Sequence, residues 1–137
     1  MGTIVNINGE IFSKENARIS VFDRGFLFGD SVYEVVRTYS GDYLFLFDEH
    51  FKRLESSLNS LFFNLKLSKE ELKKTIIATL QKADNKDSYI RIIITRGIGD
   101  TYLDLEGVKE SNCIIIVKNL DILKDEFYKK GVSVKCV

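Results

Sequence analysis

Tyr33 and Arg37 share one face of a run that alternates as a β-strand, Val32 to Tyr39. Val35 and Tyr39 stand beside them, and Val32, Glu34, Val36 and Thr38 take the other face. Tyr89 to Arg96 is the most strand-like segment of the chain. There Tyr89 and Arg91 share a face with Ile93 and Thr95, while Ile90, Ile92 and Ile94 line the other. If the two strands are neighbours, the guanidinium groups of Arg37 and Arg91 meet the phenols of Tyr33 and Tyr89. Such a patch suits a carboxylate, because arginine presents a planar fork of donors and tyrosine a fixed one. The competing reading is a cross-strand pairing of either arginine with Glu34 or a nearby aspartate, which contributes little at a sheet surface. Alternation turns Glu34 away from the patch, and no role is assigned to it.

Arg53 is a further candidate. It stands in His50-Phe51-Lys52-Arg53-Leu54, at the edge of an apolar helical stripe. From there a guanidinium can reach over the core to a phosphate, or lie along apolar neighbours toward solvent. His50 is the sole histidine, so no multi-histidine metal site can form, and alone on a helix it reads as a surface or supporting residue. Cys113 and Cys136 show no metal-ligand spacing and read as small buried residues in a reducing compartment. No Gly-x-Ser-x-Gly and no Walker loop is present, and the Gly25/Gly29 and Gly97/Gly99 pairs lack a βαβ context. Hard bond cleavage would therefore have to come from a cofactor. Lys plus Arg is 20 and Asp plus Glu is 20, so the net charge is zero and gives no electrostatic footprint for nucleic acid or an anionic membrane. No apolar run approaches the length of a membrane span, and Met1-Gly2-Thr3-Ile4-Val5 lacks the basic start and apolar stretch of a signal peptide. A cytoplasmic location is expected.

The elements that must position these residues follow from punctuation and period. With 137 residues, 45% of them hydrophobic, the chain suits one globular domain with a real core. Thr3 to Ile7 and Glu10 to Phe12 read as a hairpin about Asn8-Gly9. Asp23 to Asp30 reads as a turn-rich loop leading into the Tyr33 strand. Tyr43 to Phe47 is expected to pair back on that strand after Ser40-Gly41-Asp42. Asp48 is the expected cap of a helix whose stripe is Phe51, Leu54, Leu58, Leu61, Phe62 and Leu65. Ser68 and Glu71 form a capping box for a second helix carrying Leu72, Ile76, Leu80 and Ala83, with Asp84-Asn85 as its stop. Cys113 to Val117 reads as a central strand. Asp121 to Lys130 reads as a short helix with Gly131 in the left-handed position after it, and Val132 to Val137 as a strand. The sum is an α+β two-layer sandwich: a mainly antiparallel sheet with two consecutive helices on one face.

Taken in order, Asp23-Arg24-Gly25-Phe26 through Arg37, His50 to Leu54, Tyr89-Ile90-Arg91 and Thr95-Arg96-Gly97 resemble the N-terminal domain of the class IV (fold type IV) pyridoxal-phosphate enzymes. That family includes branched-chain aminotransferases, D-amino-acid aminotransferases and aminodeoxychorismate lyases, and the resemblance covers essentially the whole chain. It implies pyridoxal 5'-phosphate as cofactor, held through its phosphate by Arg53. It implies that Tyr33 lines the substrate pocket and that Arg37, Tyr89 and Arg91 recognise substrate carboxylates. Arg53 and the Tyr33/Arg91 surface are expected to open onto one hollow. The family is typically homodimeric. The resemblance further implies that residues 1–137 are the N-terminal domain of a two-domain enzyme whose Schiff-base lysine lies past Val137. No lysine here, Lys135 included, sits in the matching context, so this piece alone is expected to be inactive and to lack a catalytic residue. The loop Ile98-Gly99-Asp100-Thr101-Tyr102 lacks the Arg/His pair of the D-amino-acid enzymes, and Tyr33-Glu34-Val35-Val36-Arg37 differs from the lyases. The branched-chain aminotransferases are the nearest in pattern. A non-catalytic binding module is the alternative from another class.

Overall fold

Asn8 and Gly9 reverse the chain with φ of 54° and 96°, the pair of positive values that a two-residue hairpin needs. Ile4–Ile7 (β1) and Glu10–Ser13 (β2) therefore pair antiparallel, Val5 opposite Phe12. The structure, a computed structural model, describes residues 2–63, 68–108, 110–122 and 124–136. Its further elements are Arg24–Phe28 (α1), Ser31–Tyr39 (β3), Tyr43–Leu44 (β4), Phe47–Ser60 (α2), Lys69–Ala83 (α3), Ser88–Thr95 (β5), Asn112–Asn119 (β6) and Asp125–Lys130 (α4). The strands form a six-stranded sheet in the order β2-β1-β6-β5-β3-β4, with antiparallel pairings throughout. This is the expected α+β sandwich, with β6 central as its continuous apolar run requires.

The core lies between one sheet face and the two long helices. Ile90, Ile92 and Ile94 of β5 are 0–1% exposed, as are Val36 of β3 and Ile115 and Val117 of β6. Leu54 and Leu58 of α2 and Leu72, Ile76, Leu80 and Ala83 of α3 cover them. The capping box of α3 forms as expected: Ser68 N donates to Glu71 Oε2 at 2.8 Å, and Glu71 N donates back to Ser68 Oγ at 3.3 Å.

Several expectations are corrected. Asp48 is not the cap of α2. The cap is Leu46, two residues earlier, where the chain turns at φ 49°, and the helix begins at the buried Phe47; Asp48 sits in the first turn and pairs with Lys69 at 3.2 Å. The stripe ends sooner, since α2 stops at Ser60. Leu61 is 45% and Phe62 89% exposed, with Phe62 at φ 56°, and Leu65 lies outside the described residues. The return arm shrinks to Tyr43–Leu44. The late helix keeps only Asp125–Lys130, and Leu123 falls outside the described residues. Gly131 has φ 70° but an extended ψ of −171°, so it is not left-handed helical. Residues 132–136 form no strand: no described strand lies beside them, and Val132 and Val134 are 71% and 81% exposed (Val137 is outside the described residues). Cys136 is exposed rather than buried, whereas Cys113 is half-buried, and burial pushes its thiol up to about 11.

The loop before β3 hides a helix that periodicity could not reveal in five residues. Asp23, fully buried, accepts from Gly25 N at 2.8 Å as the cap of α1, and also from Thr95 Oγ1 at 2.8 Å and Asn112 Nδ2 at 2.6 Å. Gly25 leaves room for this contact: a Cβ there would lie 2.7 Å from Thr95 Cγ2. Asp23 thus ties α1 to the ends of β5 and β6 beside the start of β3. Leu54→Ala should destabilise the chain by about 2–5 kcal/mol, the usual cost of a buried cavity. Phe62→Ala should stay within about 0.5 kcal/mol. Urea unfolding of both variants checks the placement of the seam; similar losses for the two would contradict it.

Candidate functional site

The β3–β5 pairing places Tyr33 opposite Ile93, Val35 opposite Arg91 and Arg37 opposite Tyr89. The four polar candidates therefore do share one sheet face, the one turned away from α2 and α3. Arg91 stacks on the Tyr33 ring with its Cζ 4.0 Å from the centroid, the diagonal contact expected of cross-strand neighbours. Arg37 stacks on Tyr39 at 3.9 Å, and Lys118 approaches the Tyr89 ring at 5.2 Å. Neither Arg37 nor Arg91 makes an ion pair among the described residues, so the competing reading of a surface pairing does not hold. Their Nε atoms are buried and lack a hydrogen-bond partner among the described residues. Two half-buried guanidinium groups, each stacked on one aromatic ring and short of an acceptor at Nε, suit a carboxylate ligand.

Glu34 points to the opposite, helix-covered face, as alternation requires, and there it does what the sequence did not reveal. It is 5% exposed on a face it shares with Val36, Ile90, Ile92 and Ile94. A buried carboxylate must be paired. Arg53 of α2 pairs with it twice, Nε to Oε1 at 2.5 Å and Nη2 to Oε2 at 2.6 Å. His50, one turn earlier on α2, brings Nδ1 to 2.9 Å from Oε2. Burial pushes the Glu34 carboxyl up, but the hydrogen bonds from Arg53 and His50, and then their charges, outweigh it and leave it below the ordinary glutamate value. The Arg53 guanidinium is correspondingly raised by the hydrogen bond and charge of Glu34. The spacing of His50 and Arg53 on one helix face was the only sequence signal for this cluster.

Arg53 therefore stands across the strand from the Tyr33/Arg37/Tyr89/Arg91 patch, on the opposite face of the sheet, which corrects the expectation that the two open onto one hollow. What the two groups share is the edge of β3: Tyr33 and Glu34 are consecutive, and β4 pairs only with Thr38 and Tyr39, leaving the edge from Ser31 to Val36 without a strand neighbour among the described residues. The Arg53 side chain is 66% exposed, and its Nη1 has no partner among the described residues. A guanidinium oriented by a buried carboxylate, with one amino group turned outward, fits a phosphate or another oxyanion. No cluster of three or more metal-ligating groups occurs among the described residues, and no helix there is long and apolar enough to cross a membrane.

The family model "Amino-transferase class IV" matches residues 31–137. A putative branched-chain-amino-acid aminotransferase of Methanocaldococcus jannaschii is 41% identical over 100 residues, which are 73% of this chain and 34% of that protein. A D-alanine aminotransferase of Staphylococcus epidermidis is 39% identical over 95 residues, 69% of this chain and 33% of that protein. The chain thus spans about a third of the length of the curated relatives it matches. The fold matches that of the branched-chain amino acid aminotransferase of Escherichia coli. There the TM-score is 0.79 at 24% identity, over 88% of this chain and 40% of that one.

Glu34 gives a prediction with a definite sign. Its folded-state pKa is depressed, so its contribution to stability is complete above the ordinary glutamate range and is lost as pH falls through the lower folded value. Glu34→Gln should therefore be less stable than the parent at neutral pH, and the gap should narrow steadily toward about pH 3. Urea unfolding of the two chains across that range measures it. A gap that does not change with pH would remove the charge from the account.

Proposed function

This chain belongs to the class IV aminotransferase family, and from that premise we propose that residues 1–137 are the N-terminal domain of a pyridoxal-phosphate-dependent aminotransferase. The whole enzyme moves an amino group between an amino acid, of the branched-chain type, and a 2-oxo acid. The single observation that carries the reading is the Glu34–Arg53 pair, in which a buried carboxylate fixes a guanidinium and leaves one amino group facing outward at the open edge of β3. Pyridoxal phosphate, when bound, supplies the electron sink for the transfer.

The chain's own residues bind and orient. Arg53 would hold the phosphate, and Glu34 and His50 keep Arg53 from swinging into solvent. Tyr33 would line the substrate pocket, and Arg37, Tyr89 and Arg91 would grip substrate carboxylates on the far face of the same strand. Such fixed donors act most strongly where water is excluded, as in a cleft between domains. The lysine that bonds the cofactor and the second wall of that cleft belong to a further domain, and the enzyme works as a cytoplasmic homodimer. The similarity to D-alanine aminotransferases supports a second reading within the family, but the loop after β5 carries Ile98-Gly99-Asp100-Thr101-Tyr102 and not an Arg/His pair.

In the full-length protein, Arg53→Ala should weaken pyridoxal phosphate binding roughly tenfold or more, about the value of one charge-assisted hydrogen bond. Lys52→Ala, an exposed neighbour, should leave binding within about twofold. Spectrophotometric titration of the apoenzyme measures both, and equal affinities for the two variants would remove Arg53 from the site. With 2-oxoglutarate as acceptor, L-leucine or L-valine should be a better amino donor than D-alanine. Release of product from aminodeoxychorismate without amino transfer would reject the aminotransferase.

A further inference from the structure

The chain leaves the sheet after β5 and does not return until β6 begins at Asn112. As far as Gly99 its backbone is held by the segment before α1. Arg24 N donates to the Gly97 carbonyl at 2.9 Å, Gly99 N donates to the Phe22 carbonyl at 3.2 Å, and Asp23 bridges Ile98. Among the described residues, the backbone amides from Asp100 to Glu106 find only local acceptors, Asp100 Oδ1 for Thr101 N and Asp104 Oδ1 for Glu106 N. Nor is there an apolar anchor: Tyr102, Leu103 and Leu105 are 68%, 80% and 55% exposed.

The Arg24 side chain reaches this stretch. Arg24 Nη1 donates to the carbonyls of Tyr102 at 2.9 Å and Asp104 at 3.0 Å, and Nη2 donates to that of Leu103 at 3.2 Å. Its Nε pairs with Asp30 at 3.3 Å, and its Cζ lies 4.7 Å from the Phe28 ring centroid. The side chain is 5% exposed. Asp30 is shared, because Arg96 takes it through Nε at 3.0 Å and Nη2 at 3.1 Å. A buried cation with half of one carboxylate needs further acceptors, and three consecutive carbonyl oxygens supply them. Gly99 makes the room: a Cβ there would lie 3.3 Å from Arg24 Cδ. Asp30 immediately precedes β3 and Arg96 immediately follows β5, so the same network fixes the end of the sheet that carries Tyr33.

We propose that Arg24 is a positioning residue whose buried guanidinium holds the 100–106 loop in one conformation and ties it, through Asp30, to the start of β3. A lysine cannot take its place, since a point charge lacks the fork that reaches three carbonyls and a carboxylate together. The loop-holding role is independent of the cofactor; its consequence for substrate binding rests on the aminotransferase reading.

The test uses the full-length protein with Arg24→Lys, and with Gly99→Val, which keeps the arginine but displaces its stem. Limited chymotrypsin digestion, mapped by mass spectrometry, reads the loop. Cleavage after Tyr102 or Leu103 should be about tenfold faster in both variants, with cleavage at buried Leu54 and Leu80 unchanged. In Arg24→Lys the amino-donor KM should rise about threefold or more at nearly constant kcat, because the start of β3 shifts beneath Tyr33. Unchanged loop cleavage in both variants overturns the proposal. So does equal acceleration at every site, which would make Arg24 a general prop of the fold, and an unchanged KM overturns the tie to β3. A parent protein that binds no pyridoxal phosphate refutes the proposed function alone, and the cleavage pattern still decides on Arg24.

Discussion

A carboxylate on an apolar sheet face is the constraint from which the candidate site follows. Glu34 alternates with Val36 and Thr38 on the face that α2 and α3 cover, and nothing else on that stretch of β3 can satisfy it. Its acceptors must be met from α2, and α2 offers Arg53 and His50 on one face. The pairing does not argue for high stability, because desolvation of the ions opposes their attraction. It does fix direction. An arginine this exposed would ordinarily sample many rotamers; bound through Nε and Nη2, it presents one.

The register of β3 is set by the same burial. A slip of one residue would bring Tyr33, Val35 and Arg37 under the helices and throw Val36 out, so the apolar seam forbids it. Once Glu34 faces in, Tyr33 and Arg37 must face out, and the antiparallel match to β5 brings Tyr89 and Arg91 beside them. The two halves of the site are thus consequences of one alternation. One half sets the Arg53 guanidinium on the helix side of the strand, and the other presents stacked arginines on the open side.

The legible parts of the chain were those with long, regular patterns. The isoleucine face of β5, the capping box at Ser68 and Glu71 and the Asn8-Gly9 hairpin each carry their own local reason to form. The Tyr33/Arg37/Tyr89/Arg91 face was legible because alternation is local and neighbouring strands in an antiparallel sheet share faces. What stayed hidden depended on distant partners. Glu34 looked idle because its value comes from α2. Asp23 and Arg24 looked like loop residues because their partners, Thr95, Asn112, Asp30 and the Tyr102–Asp104 carbonyls, are brought in by the fold. The α2 boundary was misplaced because the chain turns into the helix at a left-handed Leu46, without any side-chain cap. Residues 132–136 alternate like a strand, yet alternation without a described neighbour to pair with makes no sheet.

On the proposed function, the guanidinium pinned by Glu34 grips a cofactor phosphate. A crystal structure of the full-length protein with pyridoxal phosphate tests it most directly. Phosphate oxygens should then lie within hydrogen-bond distance of Arg53 Nη1, with Nε and Nη2 still on Glu34. A phosphate bound elsewhere, with Arg53 facing only solvent and Glu34, would contradict it.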